Sequence, residues 1–394
     1  MGVTKELRKF VAPEIITGVD ARLITGRYLA HFAAQNPMIV TDKAITEFEW
    51  FQDTVAEIAK YVKHYFIFDG VTSNPRDTEV MRGAELFLEK GCDLIIAIGG
   101  GSPIDCAKGI SIVSTNGGHI LDYEGVDEIN LPGPPLICIP STSGASADVS
   151  QFAIICDTTS HVKKAIISKK VVPDLALIDP IPLMTMDYYL TACTGMDALT
   201  HAIEAYVSNA NSALTDLHAL EAIRIISQTI EEAVKPTRTV DTMYQMMLGS
   251  MEAGLAFSNA SLGAVHAMAH SLGGLLDLPH GECNSILLEH IVNLNFMSEQ
   301  EKYTRIAECM QVKTDGLTAL QIRDALTERI RNLRNSLGIK GYAEVPDMGN
   351  DILEKLSEGA LADPCIVTNP RILAREEVRE VYGRILQPKR AENI

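Results

Sequence analysis

Near residue 183 the sequence changes character, and this break does most to decide what the chain can fold into. Before it, short apolar and β-branched runs recur at residues 38–41, 65–68, 94–98, 136–139, 152–156 and 175–178. Helical patterns such as 76–89 lie between some of them. Strands alternating with crossover helices build a parallel sheet covered by helices. After the break the strand signals vanish. Residues 212–232, 242–257, 262–273, 318–337 and 351–361 read as helices, often punctuated by Asn or Gly. The expected architecture is an α/β N-terminal domain with a parallel sheet over residues 1–184, then an all-α domain over 185–394. A chain of 394 residues is long enough for two cores.

The helical half concentrates imidazoles. Four of the ten histidines fall between residues 263 and 290, among small and apolar residues. His266 and His270 are four apart and share one helical face. Gly273-Gly274 reads as the end of that helix, and His280 returns from a Pro279-His280-Gly281 turn. Upstream, Asp197 and His201 repeat the spacing of four. An unpaired polar group in an apolar setting costs free energy, so these side chains need partners. Asp197, His201, His266 and His280 supply one carboxylate and three imidazoles. That set suits a borderline divalent ion such as iron(II) or zinc, and does not suit calcium or magnesium. Taken singly, each has an ordinary reading: Asp197 as a helix cap, the histidines as satisfied core residues. His161, His218 and His290 join no ligand spacing.

The first half has its own chemistry. The apolar run 94–98 leads into Gly99-Gly100-Gly101-Ser102-Pro103, which opens a helix. Glycines let backbone N–H groups approach a ligand closely, and a helix N-terminus favours phosphate. Asp105 and Lys108 follow. No G-x-G-x-x-G occurs, so this is not the common dinucleotide motif, and a structural turn accounts for the glycines equally well. Asp42 lies just beyond the 38–41 strand, where an acidic group can hold ribose hydroxyls and repel a 2′-phosphate. Capping the next helix is its alternative role.

Composition narrows the partners. A net charge of −17 disfavours a nucleic-acid or anionic-membrane surface. Eight cysteines without a C-x-x-C pair read as thiols in a reducing compartment. The N-terminus has no signal-peptide core, and no apolar run nears the roughly 18 residues that span a bilayer. The expectation is a cytoplasmic protein with neither membrane nor nucleic-acid partners.

Together these residues resemble the iron-containing (group III) alcohol dehydrogenase family, over nearly the whole chain. The matching motifs are residues 68–75 (FDGVTSNP), 99–108 (GGGSPIDCAK), Asp179-Pro180, 195–204 (GMDALTHAIE), His266-Ala-Met-Ala-His270 and Pro279-His280-Gly281, in family order and at family spacing. The resemblance implies a dinucleotide-binding domain, a helical metal-binding domain and an active site in the cleft between them. It makes Asp197, His201, His266 and His280 the metal ligands, for iron(II) before zinc. His270 matches a histidine near the substrate that does not ligate the metal, placed to relay a proton. Asp42, Asn74, Gly99, Gly100, Gly101, Ser102, Asp105, Thr142 and Leu190 match cofactor-side positions, for NAD before NADP. Cys365 matches a residue on the substrate side. The implied activity is reversible hydride transfer between a small primary alcohol, its aldehyde (or a ketone) and NAD(H), in a homo-oligomer of two or more chains. A glycerol-dehydrogenase-like polyol enzyme and a catalytically weak structural or regulatory member are the alternatives.

One stretch departs from the family. Where T-T-x-G-T-G-S-E is usual, this chain reads Ser141-Thr142-Ser143-Gly144-Ala145-Ser146-Ala147-Asp148. Ala145 and Ala147 lack hydroxyls, Ser146 adds a side chain where backbone alone would approach the ligand, and Asp148 is one methylene short. Weaker nucleotide binding or a shifted substrate range is expected.

Overall fold

The computed structural model describes residues 7–160, 162–276, 278–345 and 350–388. The N-terminal half contains β1 (Glu14–Thr17), α1 (Thr25–His31), β2 (Pro37–Val40), α2 (Glu49–Ile58), β3 (Phe66–Phe68), α3 (Asp77–Glu89), β4 (Leu94–Gly99) and α4 (Gly101–Asn116). It continues with β5 (Gly125–Val126), β6 (Leu136–Pro140), β7 (Phe152–Asp157), β8 (Val162–Ile167) and β9 (Leu175–Ile178). Six strands form one parallel sheet in the order β1-β9-β6-β4-β2-β3. Every residue of β4 is buried, as a central strand covered on both faces requires. Its side chains alternate: Ile95 and Ala97 join the cluster under α3 and α4, while Leu94, Ile96 and Ile98 join the one under α1 and α2.

Two N-terminal expectations change. The 152–156 run is not part of this sheet. It is β7, paired antiparallel with β8 in a separate three-stranded sheet, β5-β8-β7. Its burial alternates where that of β4 is continuous, so one face packs and the other looks into open space. Strand β1, four residues at the sheet edge, was not anticipated.

The C-terminal half is built from α5 (Tyr188–Val207), α6 (Ala213–Ala233), α7 (Val240–Ala260), α8 (Ala264–Leu276), α9 (His280–Asn295), α10 (Gln300–Cys309), α11 (Ala319–Ser336), α12 (Asn350–Ala362) and α13 (Arg375–Ile385). It is not strand-free: β10 (Ala343–Val345) and β11 (Leu386–Pro388) pair in parallel. Both are too short for their alternation to show in sequence. Gly273-Gly274 does not end α8, which runs on to Leu276. Glycine inside a helix costs about 1 kcal/mol relative to alanine, and packing against α12 outweighs that. Pro279 is the N-cap of α9, so His280 opens a helix rather than sitting in a free turn. The helical core takes in Val149, Ala176 and Ile178 from the first half, so the two halves pack as one body. None of the eight cysteines is in a disulfide. Among the described residues no helix is long and apolar enough to cross a membrane.

Candidate active site

Helix α5 is capped by Asp187, whose Oδ1 accepts from the backbone N–H groups of Tyr189 (2.8 Å) and Leu190 (3.0 Å). The cap is therefore not Asp197, which lies mid-helix and buried one turn before buried His201. Across from them stand buried His266 on α8 and His280 in the first turn of α9. Asp197 Oδ1 lies 3.9 Å from His201 Nε2, 3.6 Å from His266 Nε2 and 3.8 Å from His280 Nε2. Two ligands of one tetrahedral ion, each about 2.0–2.2 Å from it, are about 3.3–3.6 Å apart. Four donors drawn this close around one point fit a single divalent ion.

The surroundings fix these rings. His201 stacks between Phe257 (4.4 Å) and His266 (4.5 Å), and its buried Nδ1 has no hydrogen-bond partner. Glu204 accepts from His266 Nδ1 at 2.6 Å, leaving Nε2 to face Asp197. Asn284 Nδ2 donates to Asp197 Oδ1 at 2.6 Å and lies 3.1 and 3.2 Å from Nε2 of His266 and His280. Burial would raise Asp197, but the imidazoles around it hold it far below the usual carboxylate range. Burial pushes His201 down to about 3 and His280 well below its ordinary value, so both are neutral at physiological pH. For His266 burial is outweighed by Asp197 and Glu204, which carry it up to about 9.

His270 stays outside this set. Its ring stacks on His280 (5.2 Å, 14°), and its Nδ1 is 2.8 Å from Asp363 Oδ2. Asp363 Oδ1 in turn accepts from Cys365 N at 2.8 Å. His270, Asp363 and Cys365 all line a cavity of about 690 Å³ that also exposes the four donor residues. Such a volume suits a small ligand together with part of a cofactor.

The far wall of the cavity belongs to the N-terminal half, through Asn74, Gly101, Ser102 and Asp105. Here β4 ends at Gly99 with φ 153°, and a Cβ there would meet Pro103 Cγ at 2.5 Å. A Cβ on Gly101 would meet Ala145 at 2.8 Å, so only glycine lets the loop close over the N-terminus of α4. Asn74 N donates to Ser102 Oγ at 3.2 Å, tying the two segments together. Gly99, Gly100, Thr142, Asp42 and Leu190 do not line the cavity itself. Thr142 packs beside Gly100, and Leu190 is exposed at the start of α5. Asp42 stands past the carboxyl end of β2 and accepts from Ile45 N at 3.1 Å, so it is a cap as well as a candidate ribose ligand.

Some residues of the site were not picked out from sequence. Glu204 follows Asp197 by seven positions, so the spacing 197, 201, 204 marks one polar stripe on an apolar helix. Asp363 had no such signal. Lys163, opposite Cys156 in the β7–β8 hairpin, is the one Lys or Arg among the described lining residues, and burial lowers its pKa. Of the histidines set aside, His218 pairs with Glu252 at 2.5 Å and His290 with Glu289 at 3.5 Å. Neither lines the cavity, and His161 lies outside the described residues.

Comparison with known proteins agrees with this geometry. Residues 12–180 match the family described as iron-containing alcohol dehydrogenase, and residues 191–386 match the Fe-containing alcohol dehydrogenase family, C-terminal. The chain is 35% identical over 367 residues to a 1,3-propanediol dehydrogenase of Citrobacter freundii, covering 93% of this chain and 95% of that one. It is 32% identical over 378 residues to an NAD-dependent methanol dehydrogenase of Bacillus methanolicus, covering 96% and 99%. The crystal structure of a 1,3-propanediol oxidoreductase superposes with a TM-score of 0.92 at 33% identity, over 96% of this chain and all (100%) of that one.

Proposed function

The chain belongs to the iron-containing alcohol dehydrogenase family, and from that premise we propose how its residues divide the work. It is a metal-dependent alcohol dehydrogenase that uses NAD. In our reading Asp197, His201, His266 and His280 hold one divalent ion, iron(II) before zinc. The observation that carries this is the convergence of three Nε2 atoms within 3.6–3.9 Å of one Asp197 oxygen. A bound divalent ion supplies Lewis acidity that lowers the pKa of an alcohol oxygen, and NAD supplies the hydride acceptor.

The chain's own residues do the rest. The Gly99–Ser102 turn and the N-terminus of α4 hold the cofactor pyrophosphate, with Asn74, Asp105, Thr142 and Leu190 around it. Asp42 takes the ribose hydroxyls and favours NAD over NADP. Asp363 keeps the proton of His270 on Nδ1, so Nε2 is free to accept the proton that the alcohol loses and pass it outward. The substrate is a small primary alcohol or the matching aldehyde, with Cys365 on its side of the cavity. Division into a nucleotide domain, 1–184, and a metal domain, 185–394, belongs to the same reading. So does assembly into a homo-oligomer of two or more chains.

Protein purified without oxygen should carry about one iron per chain and oxidise short primary alcohols with NAD. Replacing His280 by Ala should remove metal and turnover together. Full metal content in that variant, or no turnover of any alcohol by the metal-loaded parent, would defeat the reading.

A further inference from the structure

Glu204 is buried near the end of α5 and is not one of the four metal donors. Its carboxylate reaches the start of α8. One oxygen accepts from Val265 N at 2.6 Å; the other accepts from His266 N at 3.4 Å and from His266 Nδ1 at 2.6 Å. Beside it, Asn369 Oδ1 accepts from Ala264 N at 3.2 Å. The first N–H groups of a helix have no acceptor within the helix, and the helix dipole favours a negative charge there. Space for the carboxylate is made by Gly263, where a Cβ would stand 2.9 Å from Glu204 Oε1.

We propose that Glu204 is the positioning residue for metal binding: one carboxylate caps α8 and holds the Nδ1–H of His266, so the ring offers Nε2 to the ion. This rests on the assignment of Asp197, His201, His266 and His280 as ligands. A neutral imidazole carries its proton on one nitrogen only, and the partner of the other nitrogen decides which. Both carboxylate oxygens of Glu204 act as acceptors, and that is what the site needs.

Glutamine has nearly the same shape but cannot play both parts. With its oxygen toward Val265 N, its NH₂ faces His266 Nδ1 and either opposes the N–H there or drives the proton onto Nε2. With its oxygen toward His266, its NH₂ meets the Val265 N–H. Either arrangement loosens or misdirects the ligand while the fold survives.

The test is competitive zinc titration against a chelator, on the full-length apo protein, with thermal unfolding measured alongside. Glu204→Gln should weaken the zinc dissociation constant about 10- to 100-fold. Asn369→Ala removes the neighbouring cap without touching His266, so it should lower the melting temperature and leave zinc affinity within about threefold. If Glu204→Gln does not fold, Glu204→Asp keeps the charge with a shorter reach and should still bind zinc more weakly than the parent. Zinc binding unchanged in the Glu204 variants overturns the proposal, as does an equal loss in Asn369→Ala, which would mean general loosening of α8. A parent protein that takes up no zinc would instead remove the ligand assignment beneath it.

Discussion

Ser146 stands where the family resemblance puts a glycine, and it holds a glycine-like backbone at φ 50°. A left-handed conformation costs a non-glycine residue about 1–2 kcal/mol. Here the side chain repays it by turning into α7, where Oγ donates to Ser250 O at 2.7 Å. It fits because α7 has Gly254 opposite, where a Cβ would lie 2.5 Å from that of Ser146. Ser146 therefore does not intrude on the ligand, which corrects the expectation from sequence. Ser146→Gly should leave the NADH dissociation constant within about threefold, since relief of strain and loss of one hydrogen bond fall on α7. Gly254→Ala should instead lower stability by about 1–3 kcal/mol, read from denaturant unfolding. His270→Ala should keep its metal and lose about 10²-fold in turnover; metal lost along with rate would make His270 a ligand. Asp42→Gly should gain NADP use, and a parent enzyme equally efficient with both cofactors would remove the role given to Asp42.

Sequence exposes those helices whose contacts are periodic. Asp197 and His201, or His266 and His270, share a face through 3.6-residue periodicity alone, so the metal set was legible before any fold was known. Glu204 was not, because its partners lie 61 and 62 positions away and local sequence carries no trace of a cap delivered from another helix. For the same reason β7 could be read as extended but not assigned to its sheet. The α4–β7 junction shows a further long-range tie. Buried Lys108 on α4 donates to Ser150 O (3.0 Å), Ser150 Oγ (3.2 Å) and Phe152 O (2.6 Å). Nearby, burial raises Asp148 from 3.8 to about 6, against the pull of Lys108. Between those values the folded protein keeps a proton that the unfolded chain has released, so this group's contribution to stability falls as pH rises. Asp148→Asn should therefore raise the melting temperature most above pH 6, with the gain shrinking toward pH 4; a gain independent of pH would contradict the burial argument.

At the scale of the whole molecule, the α/β-then-helical layout was readable because periodicity 2 gives way to 3.6 near residue 183. The packing of Val149, Ala176 and Ile178 into the helical core was not, since an apolar residue does not name its neighbour. That shared core predicts one cooperative unfolding transition, which metal shifts upward as a whole by binding only the folded state. Two separate calorimetric peaks, with metal moving only one, would contradict it. The start of α8 has a consequence for how the molecule is made. Its capping groups come from residues 204 and 369, and Asn369 lies 105 positions beyond the Ala264 amide that it receives. During synthesis His266 leaves the ribosome long before Asn369 exists, and contacts of such long range close late. A nascent or truncated chain thus lacks one of the two anchors that seat His266. The ion-binding set closes with the rest of the fold rather than ahead of it, and an unfinished chain is a poor trap for free metal.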